Sequence, residues 1–259
     1  AFLMIAVMFI MVPRASVAGD RIAEVLETKP SIRDPESPVS LTAPVRGEVA
    51  FHDVSFRYPN AEENVLEHLS FTAKPGETTA FIGSTGAGKS TLVQLILRFY
   101  DVTDGSITLD GVDIRELTQK QLRAQIGFVP QKGLLFSGDI ASNIRYGNDL
   151  ATDEEVRRAA QTAQALEFID AFPKGMETGI ALGGTNVSGG QKQRLSIARA
   201  LAKKAPVYIF DDSFSALDFK TDAALRRALA KDTAGAAVLI VAQRVSTIMH
   251  AQQIVVLDQ

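Results

Sequence analysis

The sequence predicts an α/β fold, a mostly parallel sheet with an antiparallel layer beside it, and three observations carry the prediction. The first is the stretch Gly83-Ser84-Thr85-Gly86-Ala87-Gly88-Lys89-Ser90, which fits the G-x-x-x-x-G-K-[ST] phosphate loop at every fixed position. The second is its setting: Thr79 to Ile82 reads as a short buried strand before the loop, and Thr91 to Phe99 repeats apolar residues at helical spacing after it. The third is the rest of the chain, where strand-like segments alternate with helical ones.

In chain order, residues 1–12 form an apolar run without a charge. A bilayer takes about 20 such residues, so the run alone is too short to cross one. No basic region precedes it and no small-residue site closes it, which argues against a signal peptide. Two readings stay open at this point: a buried core helix, or the cytoplasmic end of a membrane helix, with Arg14 and Arg21 following as positive charge does on that side. Helical character continues from Ser16 to Glu27. Pro30, Pro35, Pro38 and Pro44 then fall in a polar stretch, so residues 28–46 read as an extended linker and a domain boundary.

From residue 47 the domain proper begins. Val49, Phe51, Val54 and Phe56 mark buried positions of an antiparallel strand. Val65 to Ala73 and Thr78 to Ile82 flank a Lys74-Pro75-Gly76-Glu77 turn, and Ile107 to Ile114 reads as a hairpin around Asp110-Gly111. Strands are expected at Ile126 to Val129, Val207 to Phe210, Val238 to Val241 and Ile254 to Leu257. Between them Thr152 and Glu155 make a capping-box pattern ahead of Val156 to Phe172, which reads as helical, inside a helical insertion at about 132–190.

Composition narrows the chemistry. The 259 residues are enough for one large domain with an appendage. They include no cysteine, which excludes disulfides and thiolate metal sites and fits a reducing compartment. A net charge of -3 gives no basic footprint, so no nucleic-acid partner is expected.

Each candidate group has a physical reason. The glycines of the phosphate loop let backbone N–H groups and the positive end of a helix face a triphosphate, with Lys89 reaching its terminal phosphates and Ser90 coordinating Mg²⁺. Val207 to Phe210 is an apolar run ending in Asp211 and Asp212, the place where a phosphate-loop ATPase holds Mg²⁺ and positions water. Ser188-Gly189-Gly190-Gln191 opens a helical run and forms a second small anion cradle. A second cradle in a chain that already has one points to another molecule's nucleotide.

Ser188-Gly189-Gly190-Gln191, followed by Lys192, Gln193 and Arg194, resembles the signature motif of ATP-binding cassette (ABC) proteins at the right spacing from the phosphate loop. Gln131 in Val129-Pro130-Gln131 is similar to the family's Q-loop, Tyr58 to its adenine-stacking residue, and Ser215-Ala216-Leu217-Asp218 to its D-loop. The resemblance covers essentially the whole chain. It implies the phosphate-loop core of ABC type with a helical subdomain, and it reads residues 1–27 as the end of the sixth transmembrane helix of an exporter half. Both ends are then read as trimmed. It also implies ATP and Mg²⁺ as cofactors, ATPase activity only as a dimer, a second half-transporter as partner, and a bacterial plasma (inner) membrane with this domain on the cytoplasmic side. By resemblance, Tyr58, Gly83 to Thr91, Gln131, Ser188 to Gln191 and Asp218 contact nucleotide, while Ser90, Gln131 and Asp211 arrange Mg²⁺.

Departures from the family pattern sharpen this. Asp212 stands where most members have a catalytic Glu, and Gln243, in Val241-Ala242-Gln243-Arg244, stands where they have a switch His. The lost methylene withdraws the carboxylate by about 1.5 Å, and Gln243 can bond a γ-phosphate but carries no charge. His250 reads as a surface residue, not a substitute. Leu182 to Asn186 replaces an acidic-basic pair common in exporters, so contacts to the transmembrane domain are expected to differ. With Asp212, Gln243 and Lys89 as the catalytic set and Ser188 to Gln191 intact, the chain resembles the slow-site half of a heterodimeric exporter. Two alternatives remain: a homodimer in which Asp212 works through a water, and a nearly inert ATP-binding regulatory subunit. A soluble ABC ATPase of DNA repair or translation would need a basic face or coiled-coil insertions, and neither is visible.

Overall fold

A computed structural model describes residues 2–243 and 248–258; Arg244 of the Gln243 pattern lies outside them. The chain divides into two compact units, Ala1–Arg33 and Asp34–Gln259. The first is the helix α1 (Phe2–Glu27), with Pro13 inside it and no buried residue. Over its most apolar window the mean hydropathy is 1.9, and among the described residues it is the one helix long and apolar enough to cross a membrane.

The second unit opens with residues 34–46, which run along its surface: the Gln119 N–H donates to Asp34 Oδ1 at 2.8 Å and the Val39 N–H to Glu116 O at 2.9 Å. β1 (Val49–Phe56) and β2 (Leu66–Ala73) follow, then β3 (Thr78–Gly83) and α2 (Lys89–Ile96), β4 (Asp104–Leu109), β5 (Val112–Asp113), α3 (Gln119–Ala124) and β6 (Ile126–Val129). A helical section carries β7 (Gly138–Asp139), α4 (Ile140–Arg145), α5 (Asp153–Thr162), α6 (Leu166–Asp170), β8 (Gly179–Ile180) and α7 (Gly189–Ala202). β9 (Val207–Asp211), α8 (Phe219–Asp232), β10 (Ala237–Val241) and β11 (Gln253–Leu257) follow.

The antiparallel sheet runs β2-β1-β4-β5 and the parallel sheet β11-β3-β10-β9-β6. Val49, Phe51, Val54 and Phe56 are all buried, although strict alternation would send the last two to the opposite face. A bulge resolves this. Asp53 takes φ +50° and His68 across from it φ +51°, the register shifts between Phe51 and Val54, and both halves of β1 face one core. That core joins Phe51, Phe71, Phe81, Leu92, Leu95, Ile209 and Leu239, sealing the antiparallel layer onto α2 and one face of the parallel sheet. A second cluster packs α4, α5, α7 and α8 on the other face through residues such as Ile144, Val156, Ile197, Phe210 and Leu225.

Two expected helical stretches differ in extent. The stretch expected over Val156 to Phe172 is α5 and α6, because Gln164 adopts φ +56° and its carbonyl accepts from Arg194 Nη1 at 2.8 Å. The helix expected from Thr91 to Phe99 begins at Lys89 and stops at Ile96. Arg98 takes φ +51°, and its buried guanidinium reaches Leu117 O and Asp101. The Thr152 capping box forms as expected, and His250 is exposed.

Candidate functional site

Parallel register sets the site. Val241 lies opposite Phe81 on one side and Asp211 on the other, and Phe210 lies opposite Val129. The carboxyl ends of β3, β10, β9 and β6 therefore finish level, and the loops leaving them share one rim. This is the edge at which open parallel sheets bind ligands.

β3 delivers the phosphate loop. Gly88 is the N-cap of α2 at φ 85°, and a Cβ there would lie 2.8 Å from Leu66 Cδ2, so both conformation and space demand glycine. At Gly83 a Cβ would meet Leu257 O at 2.3 Å, because β11 pairs with β3 at that position. Ser84, Thr85 and Gly86 form an exposed crest, and the buried Ala87 donates its N–H to Ser84 O at 3.2 Å. Lys89 folds back over the crest, with Nζ 2.8 Å from Gly83 O and 2.6 Å from Ser84 O. Those carbonyls hold the ammonium at the mouth of the loop.

β9 delivers the two carboxylates. Ser90 Oγ donates to Asp211 Oδ1 at 3.4 Å, and burial pushes the Asp211 carboxyl above its ordinary value, with Asp212 adding to the rise against the pull of Ser90 and Lys89. Asp212 turns the chain through φ +46° while its N–H still donates to Val241 O at 3.0 Å. Its Oδ2 accepts from two amides that arrive on different loops: Gln131 Nε2 at 3.3 Å and Gln243 Nε2 at 2.8 Å. Two of the departures from the family pattern, Asp212 and Gln243, thus touch each other.

Tyr58 is tied to α2 by its hydroxyl, 2.9 Å from Thr91 Oγ1 and 3.3 Å from Gln94 Oε1, and its ring meets Phe56 and Tyr100 edge to face. Ser188 to Gln191 sits elsewhere. Ser188 caps α7 in a box with Gln191, through contacts of 3.3 and 2.9 Å, and no hydrogen bond among the described residues joins this stretch to the phosphate loop. A Cβ on Gly190 would lie 3.5 Å from Ala216 O, so the cradle neighbours the segment ending at Asp218, which itself caps α8 through Thr221 at 2.9 Å. The structure therefore gathers residues 83–91, Gln131, Asp211, Asp212 and Gln243 on the rim, ties Tyr58 to them through Thr91, and leaves Ser188 to Gln191 and Asp218 as a second group.

Gln193, which the sequence places only as part of the signature-like motif, has a role of its own in the structure. It is 2% exposed and bonds the backbone on both sides of Gln131. Its signal was present: Gln193, Ile197 and Ala200 lie at helical spacing on one apolar face.

The family model described as ABC transporter matches residues 66–215, which contain the phosphate loop, Gln131, both carboxylates and Ser188 to Gln191. The chain belongs to the ABC transporter family. This ABC domain is 45% identical to an uncharacterized ABC transporter ATP-binding protein of Mycobacterium tuberculosis, over 100% of the chain and 44% of that protein. It is 44% identical to the ATP-dependent lipid A-core flippase of Desulfotalea psychrophila, over 93% of the chain and 42% of the flippase. Among solved structures, a bacterial Atm1-family ABC exporter with ATP bound superimposes with a TM-score of 0.89 at 36% identity, over 95% of this chain and 43% of that one. The chain thus spans less than half the length of these relatives.

The oxygen donors on the rim suit Mg²⁺. Ser90 hydroxyl, the Gln131 amide oxygen and the Asp211 carboxylate are hard ligands, and a hard cation beside phosphate needs only a few from protein. A buried carboxylate whose charge is disfavoured by its surroundings is a natural partner for such a cation.

Proposed function

We propose that the chain is the ATP-hydrolysing domain of an exporter half, anchored by α1 at a bacterial plasma membrane with this domain on the cytoplasmic side. It works as one half of a heterodimer whose other half is a second ABC chain. Its own phosphate loop binds ATP and turns it over slowly, and Ser188 to Gln191 completes a fast site on the partner's loop. The observation that carries this reading is the division of the site: the catalytic rim collects Asp212 and Gln243, while the intact cradle at Ser188 stands apart from it.

In this mechanism Tyr58 stacks on adenine, backbone N–H groups from Gly86 to Lys89 cradle the phosphates, and Lys89 exchanges the carbonyls of Gly83 and Ser84 for phosphate oxygens. Ser90, Gln131 and Asp211 would hold Mg²⁺, whose charge offsets that of the phosphates. Asp212 accepts the proton of the attacking water from one methylene too far back, and Gln243 serves it without charge. Ser188 to Gln191 and Asp218 face the partner's nucleotide. ATP at the two sites draws the domains together, and the closure drives export.

The test is ATP turnover by the full-length protein in lipid, alone and with the second half. Turnover only in the pair supports the heterodimer; full activity of the chain alone favours the homodimer.

A further inference from the structure

Gln193 stands within the first turns of α7, polar and yet 2% exposed. Both ends of its amide are engaged. Nε2 donates to Pro130 O at 3.1 Å, and Oε1 accepts from the Gly133 N–H at 3.0 Å. These backbone groups bracket Gln131 and Lys132, so one buried side chain clasps the loop after β6 at both ends. Gly133 is pressed against α7, since a Cβ there would lie 2.9 Å from both Lys192 O and Ser196 Oγ. The loop lies flush on the helix. Inside the clasp, Gln131 Nε2 reaches Asp212 Oδ2 at 3.3 Å. At the head of the same helix stands the capping box of Ser188 and Gln191.

We infer that Gln193 is a positioning residue that couples nucleotide on this chain's own phosphate loop to the presentation of Ser188 to Gln191. The inference rests on the reading above, in which Gln131 senses nucleotide and Ser188 faces a partner. When Gln131 turns from Asp212 toward nucleotide, Pro130 and Gly133 carry the movement and the clasp passes it to α7. Two buried hydrogen bonds made by a single amide hold loop and helix in one relative position, and leaving either backbone group unpaired is costly. Such a link is established only by showing that both groups act as a unit.

The experiment is a double-mutant cycle in the full-length protein paired with its second half in lipid. Gln193→Met keeps length and removes both hydrogen bonds; Gln193→Glu keeps the acceptor for Gly133 and loses the donor to Pro130. Gln193→Met is expected to lower turnover of the pair on the order of 10- to 100-fold, as two buried backbone groups lose their partner, and to leave ATP affinity at this chain's loop within about twofold. Adding Gln131→Ala to it costs nothing further than the worse single variant. Gln193→Glu falls between, and recovers toward wild type as pH falls, because a protonated carboxyl regains an O–H donor for Pro130 O. If the Met variant fails to assemble, the pH profile of Gln193→Glu decides. The inference is overturned by single effects that multiply, by an unchanged turnover in Gln193→Met, or by a Gln193→Glu profile parallel to wild type. An inert Gln193→Met beside a dead Ser188→Ala refutes the clasp alone, whereas an inert Ser188→Ala overturns the partner-facing reading with it.

Discussion

Asp212→Glu tests the proposal that this chain's own site is slow and that a missing methylene is the reason. Asp212 Oδ2 now lies 2.8 Å from Gln243 Nε2 and 3.3 Å from Gln131 Nε2, so the carboxylate is held by both amides close to its own backbone. Glutamate advances the carboxylate by about 1.5 Å. A general base works within about 2.6–3.2 Å of its proton, and a misplacement of about 1 Å can cost on the order of 100-fold. Hydrolysis at this site is therefore expected to rise between about 10- and 100-fold, the smaller figure applying if the two amides keep the longer side chain back. The assay is single-turnover hydrolysis of labelled ATP by the full-length pair, with Ser188→Ala added to silence the proposed site on the partner. A rate that stays at the wild-type level would refute the reasoning, because reach would then not limit the site.

Three further outcomes follow from the same geometry. Lys89→Ala removes a cation held at the mouth of the loop by Gly83 O and Ser84 O, and ATP affinity should fall on the order of 100-fold in a fluorescent-nucleotide titration; a change within about twofold contradicts its role. Gly88→Ala forces an L residue to φ 85° against Leu66 Cδ2 at 2.8 Å, so it should lower both the melting temperature and ATP binding, where an intact nucleotide titration would show that the loop tolerates a side chain. Burial raises the Asp211 carboxyl above 3.8, so the folded chain binds more protons than the unfolded one just above that value and stability falls as pH rises through the window. Asp211→Asn should therefore melt higher than wild type in nucleotide-free protein above the window, with the difference closing below pH 3.8; a gain that persists in acid would contradict the assignment to ionisation.

Much of the fold was legible because its signals are local. The phosphate loop states its own strand and helix, Thr152 and Glu155 announce a helix start, and the apolar runs at Ile126, Val207 and Val238 are strands buried on both faces. The bulge at Asp53 was legible only as a slip in alternation, and the break at Gln164 was not legible, since a left-handed glutamine answered by Arg194 depends on a residue 30 positions away. In the site, residue types gave the inventory, whereas the contact between Gln243 and Asp212 required the register of β10 against β9. The apolar helix face shared by Gln193, Ile197 and Ala200 makes burial of Gln193 legible, whereas its role is not, because its partners Pro130 O and the Gly133 N–H lie about 60 positions away.

The most direct measurement compares ATP turnover of the full-length pair in lipid for wild type, Ser188→Ala and Asp212→Ala. With the fast site built on the partner's loop, as proposed, Ser188→Ala is expected to abolish turnover while Asp212→Ala barely changes it. Equal damage from Asp212→Ala, or full turnover by the chain alone, would contradict it and make Asp212 a working base in a homodimer.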